Sequence, residues 1–414
     1  MSDRGVRGFF GWRVIVASIV GAALSPATLV NVPFSLFIRP LEAEFGWSRP
    51  GTTAALSIFI ALLVVSLPIA GRIVDYYGAR RVVLPSILLY GLALASVYWV
   101  TRPLIHLYLI YGAIAVAGAG AQSLTYIRVL CSWFDRRRGL AIGACMAGYG
   151  LGYVFVPMIT QAMLHAFGWR LAYVGLATLA ILGALPVVAA LLRDTPQELG
   201  LEADGRRVLN SARPATATGE SLVEAMRARE LWLLATTFAL MSVALNGVQA
   251  QIVPLLTDRG MSVATAALML SAIGVGSFPG RLLVGLLIDK VFAPFVAIGF
   301  YSLSALALLW LVNGRSEAGI LFCAIAVGLS LGAENDILGY LVGRYFGLRS
   351  FGQIYGILFS AYLLGAALGP YLMARVYAGT GSYNVALRIG AAAITASCGL
   401  LLCLRRYSIG ERGR

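Results

Sequence analysis

The chain has 414 residues, of which 59% are hydrophobic and only 12% charged, with a net charge of +14 and a mean hydropathy of +0.84. Soluble domains carry about 25% charged residues, so the composition excludes a soluble globular protein and points to a chain embedded in the lipid bilayer. So large a positive charge could mark a nucleic-acid partner in a soluble protein, but here the arginines sit in short connections between apolar runs, where they set topology and meet anionic lipid; no nucleic acid is expected.

A spanning helix needs about 20 mostly apolar residues. Twelve such runs follow one another, near 12–38, 51–74, 82–101, 105–132, 139–165, 171–192, 231–257, 263–288, 295–313, 318–343, 353–375 and 384–405. The basic start, MSDRGVRGFFGW, leads into a run long enough to span, and so reads as the cytoplasmic flank of a retained first helix rather than a cleaved signal. Arg4, Arg7, Arg13, Arg80, Arg81, Arg136, Arg137, Arg138, Lys290, Arg344, Arg349, Arg405 and Arg406 gather on one side of this pattern, and the opposite connections hold fewer positive residues. The positive-inside rule then puts both termini in the cytoplasm, with the bacterial inner membrane as the expected location. The five cysteines (Cys131, Cys145, Cys323, Cys398 and Cys403) lie in or at the ends of apolar runs without metal-ligand spacing, and the expectation is no metal and no cofactor.

The longest polar stretch, 194–230, divides the chain into a six-helix bundle over 1–193, a cytoplasmic linker that is partly helical near 220–229, and a second six-helix bundle over 231–414. An internal repeat supports the division. "GRIVDYYGARR" (71–81) follows the second run and "GLLIDK" (285–290) the eighth, matching as Gly-x-x-x-Asp, and "SWFDRRRGLAIG" (132–143) aligns with "RYFGLRSFGQIYG" (344–356). A repeat of six and six implies two bundles related by an axis along the membrane normal, with a central site where they meet.

The loop over 71–81 resembles the signature of the major facilitator superfamily, with Gly71, Asp75, Gly78 and Arg80 at its places. The resemblance covers essentially the whole chain and implies an all-α integral membrane protein of 12 transmembrane helices. Two further stretches, "FFGWRVIVAS" (9–18) and "WFDRRRGLAIGACMAG" (133–148), are similar to signatures of monocarboxylate porters and of the related oxalate/formate antiporters. Both branches imply carboxylate substrates, with an arginine of helix eight as a ligand, and Arg281 stands at that position. Animal monocarboxylate porters place an aspartate where this chain has Ser277 and a helix-one lysine where it has Phe34, while oxalate porters add a helix-eleven lysine; Lys290 is the only lysine here. One deep cation suits a monoanion better than a dianion.

Arg281 lies about 12 Å along its helix from Asp289, at 1.5 Å per residue, deeper than easy snorkelling allows. A buried guanidinium needs a cavity or a partner, and it matches a carboxylate bidentately. Helix ten offers two acids, Glu334 and Asp336, which point about 200° apart; Glu334 aligns in the repeat with Gln122 and is the favoured cavity-facing proton carrier. Polar residues share helical faces at Thr28, Asn31 and Ser35, at Gln122 and Tyr126, and at Asn246 and Gln249. The resemblance makes helices one, four, seven and ten line the path, so Asn31, Gln122, Tyr126, Asn246 and Gln249 join Arg281 as expected substrate ligands. Gly71, Asp75, Arg80, Arg128, Arg138 and Asp289 are the expected gating residues; Asp75 is expected to pair with arginines of the neighbouring bundle. Glycine-rich patches at 143–152 and 363–370 read as close helix contacts.

The expected function is a monomeric secondary transporter that moves a small monocarboxylate with protons by alternating access. The alternatives are an oxalate/formate-type or other organic-anion exchanger without proton coupling and, more remotely, a membrane sensor on the same scaffold. An enzyme is excluded by the lack of any nucleophile–base arrangement or phosphate loop, and only two histidines, His106 and His165, are present.

Overall fold

The computed structural model describes residues 9–205 and 219–407. The expectations placed on Arg4, Arg7 and the middle of the linker fall outside the described residues. Apolar helices dominate: α1 (Gly11–Phe45), α2 (Pro50–Tyr77), α3 (Ala79–Trp99), α4 (Ile105–Trp133), α7 (Arg229–Thr257), α8 (Ala264–Ile288), α9 (Ala293–Asn313), α10 (Glu317–Tyr345), α11 (Phe351–Thr380) and α12 (Tyr383–Leu402). Between α4 and α7, one helical run from Arg138 to Leu191 is 54 residues long, about 80 Å at 1.5 Å per residue and far beyond one bilayer crossing. Gly168 divides it, because its φ of 78° is a left-handed backbone that glycine adopts without steric cost. The run is therefore two spans, α5 (138–167) and α6 (169–191), which brings the spans among the described residues to twelve.

Residues next to that break explain why it is sharp. Trp169 donates its indole N–H to Glu44 at the end of α1, Arg170 pairs with the other oxygen of the same carboxylate, and the Arg170 guanidinium lies 4.3 Å from the Trp169 ring centre. The tryptophan and the ion pair mark a membrane–water boundary, where amphipathic rings settle.

The chain separates into two compact units, Met1–Gly219 with Leu348–Gly356, and Glu220–Gly347 with Ile357–Arg414. Each is held by seams where glycine lets backbones touch. A Cβ at Gly148 or Gly152 of α5 would come within 3 Å of the Ile19 or Ala23 carbonyl of α1, and one at Gly365 or Gly369 of α11 would come within 3 Å of the Ala239 or Val243 carbonyl of α7. The two glycine-rich patches thus do equivalent work in the two units, which is the internal repeat expressed as packing. A third seam joins α8 to α10 through Gly276, Gly280, Gly328 and Gly332. In lipid, where no hydrophobic force pulls helices together, such close approach is what dispersion needs to hold them.

The described parts of the linker are ordered by capping. Thr195 and Glu198 form a capping box over the short turn Pro196–Leu199, and Ser221 and Glu224 form another on the helix Leu222–Arg227. Asp204 accepts from the backbone amides of Asp135 and Arg136, which ties this segment to the connection between α4 and α5.

Candidate functional site

The second unit holds a buried charge cluster built by α8, α9 and α10. Pro279 and Gly280 precede Arg281, and the glycine seam draws α8 against α10 at that level, since a Cβ on Gly280 would strike the Leu329 carbonyl and one on Gly332 the Ser277 carbonyl. Arg281 is 8% exposed, and Glu334 and Asp336 are fully buried. Gly328, Gly332 and Asp336 are spaced by four residues, so they lie on one face of α10. That face meets α8, and the guanidinium of Arg281 is the charge that acts on the Asp336 carboxyl. Neither Asp336 oxygen accepts a hydrogen bond. The Arg281 charge thus acts on Asp336 without a hydrogen bond between them, and Asp336 occupies none of the five N–H donors.

Glu334 points elsewhere. Ser330, one turn before it, receives the hydroxyl of Ser304 at 2.7 Å and donates to the Phe300 carbonyl at 2.8 Å, which fixes this face of α10 against α9. The charge of Glu334 acts on the phenol of Tyr301 in α9, and both carboxylate oxygens and the Tyr301 hydroxyl are buried without a hydrogen-bond partner. The Arg281 charge therefore acts on Asp336, while Glu334 faces Tyr301 of α9. The 200° between the two acids sends them to different neighbouring helices, and the glycine seam decides which goes where.

The remaining expected ligands divide. Asn246 gives its amide to the Ser242 carbonyl and hydroxyl on its own helix, both at 3.1 Å, and Gln249 is half-buried beside it. Gln251, which the sequence reading passed over, donates to Pro370 and accepts from the Tyr383 hydroxyl. In α1 the face expected at Thr28, Asn31 and Ser35 is broken at Thr28. A π-turn over Ala27–Asn31 changes the residue spacing, so Thr28 is buried with its hydroxyl on the Ala23 and Ser25 carbonyls, while Asn31 and Ser35 are exposed. Gln122 and Tyr126 of α4 are buried, and the Gln122 Nε2 and Tyr126 Oη atoms lack partners.

In the first unit Asp75 is the centre of a network. It accepts from Arg128 Nε at 2.9 Å, and from the backbone amides of Gly352 and Gln353 at 2.9 and 3.0 Å. The expected partner in a neighbouring bundle is corrected to Arg128 of the same unit, with two amides at the start of α11 as further donors. Gly71 makes this possible, because a Cβ there would collide with the Gly352 carbonyl. Removing one partner of a buried ion pair costs about 3–5 kcal/mol, so Asp75→Ala is expected to lower the thermal midpoint in detergent by many degrees and Asp75→Asn by less; an unchanged midpoint for Asp75→Ala would refute the network's role.

The other expected gating residues are braces. Arg80 gives its backbone amide to Asp194 and its side chain to the Ala189 carbonyl, joining the start of α3 to the end of α6. Arg138 donates to the carbonyls of Cys131 and Phe134 and pairs with Asp135 at 3.6 Å. Asp289 closes α8 as its C-cap residue. Asp194 was missed in the sequence, although an acid directly after an apolar run is a signal for such a role.

The model of the Major Facilitator Superfamily matches residues 9–370. The chain belongs to that superfamily. It is 28% identical over 395 residues to monocarboxylate transporter 11 of Mus musculus, covering 92% of this chain and 84% of that one. To monocarboxylate transporter 13 of Rattus norvegicus it is 26% identical over 414 residues, covering 97% and 90%. The uncharacterized MFS-type transporter YhjX of Escherichia coli is 26% identical over 357 residues, 84% of this chain and 85% of the relative. Among solved structures, the proton:xylose symporter XylE superposes with a TM-score of 0.71 at 12% identity over 97% of both chains, and the human organic anion transporter MFSD10 with 0.66 at 17% identity over 94% and 99%. At such identities the structures establish the twelve-helix fold alone. As a superfamily member the protein is a multi-pass membrane transporter of small molecules and not an enzyme.

Proposed function

We propose that this superfamily member is a proton-coupled symporter of small organic acid anions, monocarboxylates of the lactate and pyruvate kind, with both termini in the cytoplasm. The observation that carries the reading is Arg281 beside Asp336: a buried guanidinium whose charge acts on the aspartate and whose donors that aspartate leaves untaken. A substrate carboxylate can take those donors in a bidentate, charge-assisted arrangement. Asp336 then loses its counter-charge in surroundings where an isolated carboxylate is very costly, and neutralises by taking a proton. Substrate and proton so enter together, and the site carries little net charge as the transporter alternates its access. The names of the relatives, monocarboxylate transporters at 26% and 28% identity, support the substrate class.

Uptake of labelled lactate, pyruvate and oxalate into proteoliposomes, with and without an inward proton gradient, tests this. Gradient-driven accumulation of a monocarboxylate is the expected result. Uptake indifferent to the gradient would favour an anion exchanger, and no uptake of any acid would overturn the substrate class. Asp336→Asn is expected to abolish gradient-driven accumulation while keeping exchange, whereas Glu334→Gln keeps the gradient response. The reverse result would move the coupling role to Glu334.

A further inference from the structure

We infer that the outer face of the first unit carries a binding site for an acidic phospholipid, in the groove between α2 and α3, with Arg81 as the residue that holds its phosphate. The inference concerns a lipid partner and stands whichever acid the transporter carries.

The two helices meet in a turn of one residue. α2 ends at Tyr77, α3 begins at Ala79, and Gly78 between them has a φ of 89°, a left-handed backbone that glycine adopts freely. A groove of about 250 Å³ runs between the helices, walled by Ile73 and Tyr77 on α2 and by Arg81, Val82, Pro85 and Leu89 on α3. Behind it lies α4. A Cβ on Gly120 would come within 3 Å of the side chains of Val82 and Ser86, so α4 closes the groove from the inside.

The open side is turned to the bilayer. Ile73 lies about 200° round α2 from Gly71, and it is the Gly71 side that meets the Gly352 carbonyl of α11. Val65, Ile69 and Ile73 recur at four residues on α2 and are exposed, as is Leu89 on α3. Exposed apolar surface of this extent on a spanning helix is covered by lipid.

The groove is also graded in polarity. The Tyr77 hydroxyl and the Arg81 guanidinium stand beside the turn, at the helix ends, and the walls beyond them are apolar. Arg81, Pro85 and Leu89 follow at four-residue spacing on one side of α3, and Leu89 is about 12 Å further along the helix than Arg81 at 1.5 Å per residue. A cationic end at the membrane–water boundary and an apolar slot that leads inward fit a phospholipid, with its phosphate outermost and one acyl chain between the helices.

Charge selects the kind of phospholipid. Arg80 and Arg81 are adjacent but differently employed. Arg80 gives its guanidinium to the Ala189 carbonyl, whereas the exposed Arg81 side chain has no hydrogen bond or ion pair among the described residues. No acid lines the groove, so a lipid of net negative charge neutralises Arg81, and a zwitterionic one brings a second cation that finds no partner there. The internal repeat shows that the fold does not demand this charge. Extending the match of Asp75 with Asp289 sets Arg81 against Phe295 near the start of α9, which is exposed as well.

Native mass spectrometry of the purified, delipidated full chain, titrated with phosphatidylglycerol or with phosphatidylcholine of the same acyl chains, tests the inference through the first lipid bound. Phosphatidylglycerol is expected to bind more tightly. Arg81→Gln is expected to weaken its binding about tenfold, the loss of a hydrogen bond between charged groups, and to leave phosphatidylcholine binding unchanged. Arg72→Gln is the control, because Arg72 is also exposed at this end of α2 but does not line the groove; it is expected to keep the wild-type affinity. Glycerol phosphate, which has the phosphate and no acyl chain, is not expected to compete even in large excess.

Equal losses in Arg81→Gln and Arg72→Gln would overturn the inference, as the mark of a diffuse surface charge. Unchanged phosphatidylglycerol binding in Arg81→Gln would do the same, and competition by glycerol phosphate would show a site for a free anion instead. The lipid-free thermal midpoint of Arg81→Gln is expected to match the wild type, since the side chain holds nothing else in the fold; a clear fall would assign Arg81 to the fold rather than to a lipid.

Discussion

Arg281→Ala is expected to reduce carboxylate uptake in proteoliposomes by at least about a hundredfold at equal reconstituted protein. Truncating one member of a buried, hydrogen-bonded charge pair costs about 2–5 kcal/mol, and each 1.4 kcal/mol is a factor of about ten. Arg281→Lys keeps the charge and loses the planar pair of donors, so it is expected to recover only a small part of the rate. The substitution has a second consequence in the fold: Asp336 is left fully buried without the charge that acts on it, and the fold is expected to lose stability. The double substitution Arg281→Ala with Asp336→Asn separates the two effects. It removes both charges and is expected to recover the thermal midpoint but not the uptake. Uptake restored along with the midpoint would show that Arg281 serves the fold and not the substrate.

Much of the architecture is legible in the sequence because the bilayer imposes a length on every span. Even the division of the 54-residue helical run could be read, since His165 to Arg170 interrupts two apolar stretches. What could not be read is where helices depart from regular geometry. The polar faces expected in α1 and α4 assumed continuous helices, and the π-turn at Ala27–Asn31 and the extended Gln122 break that assumption. Which neighbour each of the two acids of α10 meets stayed open for a related reason. Their angular separation follows from helix geometry, but the neighbour each one meets is a property of tertiary packing. A signal was present nonetheless: Gly328 and Gly332 repeat at four residues, as do Gly276 and Gly280, and Asp336 extends the first series. A series of small residues at that spacing marks the face on which another helix rests, and an acid that continues the series belongs to that contact.

The same seam gives the largest expected effect on stability outside the two buried charge clusters. At Gly332 even a single methyl group would lie within 3 Å of the Ser277 carbonyl, and at Gly280 within 3 Å of the Leu329 carbonyl. These are backbone atoms, which cannot turn aside as a side chain does, so Gly332→Ala must push α10 away from α8. Overpacking a well-filled contact costs about 1–3 kcal/mol, and a rigid backbone obstacle belongs at the upper end of that range. Gly332→Leu is expected to exceed it and to yield little monodisperse protein. Gly299→Ala on α9 is the fitting control, because the added Cβ would meet nothing within 4 Å, and alanine gains roughly 1 kcal/mol over glycine in a helix. Thermal unfolding in detergent should therefore place Gly299→Ala at or above the wild type and Gly332→Ala well below it. The displacement also carries a functional consequence, since Arg281 follows Gly280 directly and Asp336 lies one turn after Gly332. Separating the helices weakens the hold of Asp336 on the guanidinium, so the fraction of Gly332→Ala that folds should show a weaker dependence of uptake on the proton gradient. Equal midpoints for Gly332→Ala and Gly299→Ala would mean that the seam yields more easily than its backbone contacts imply, and that the position of Asp336 is set elsewhere.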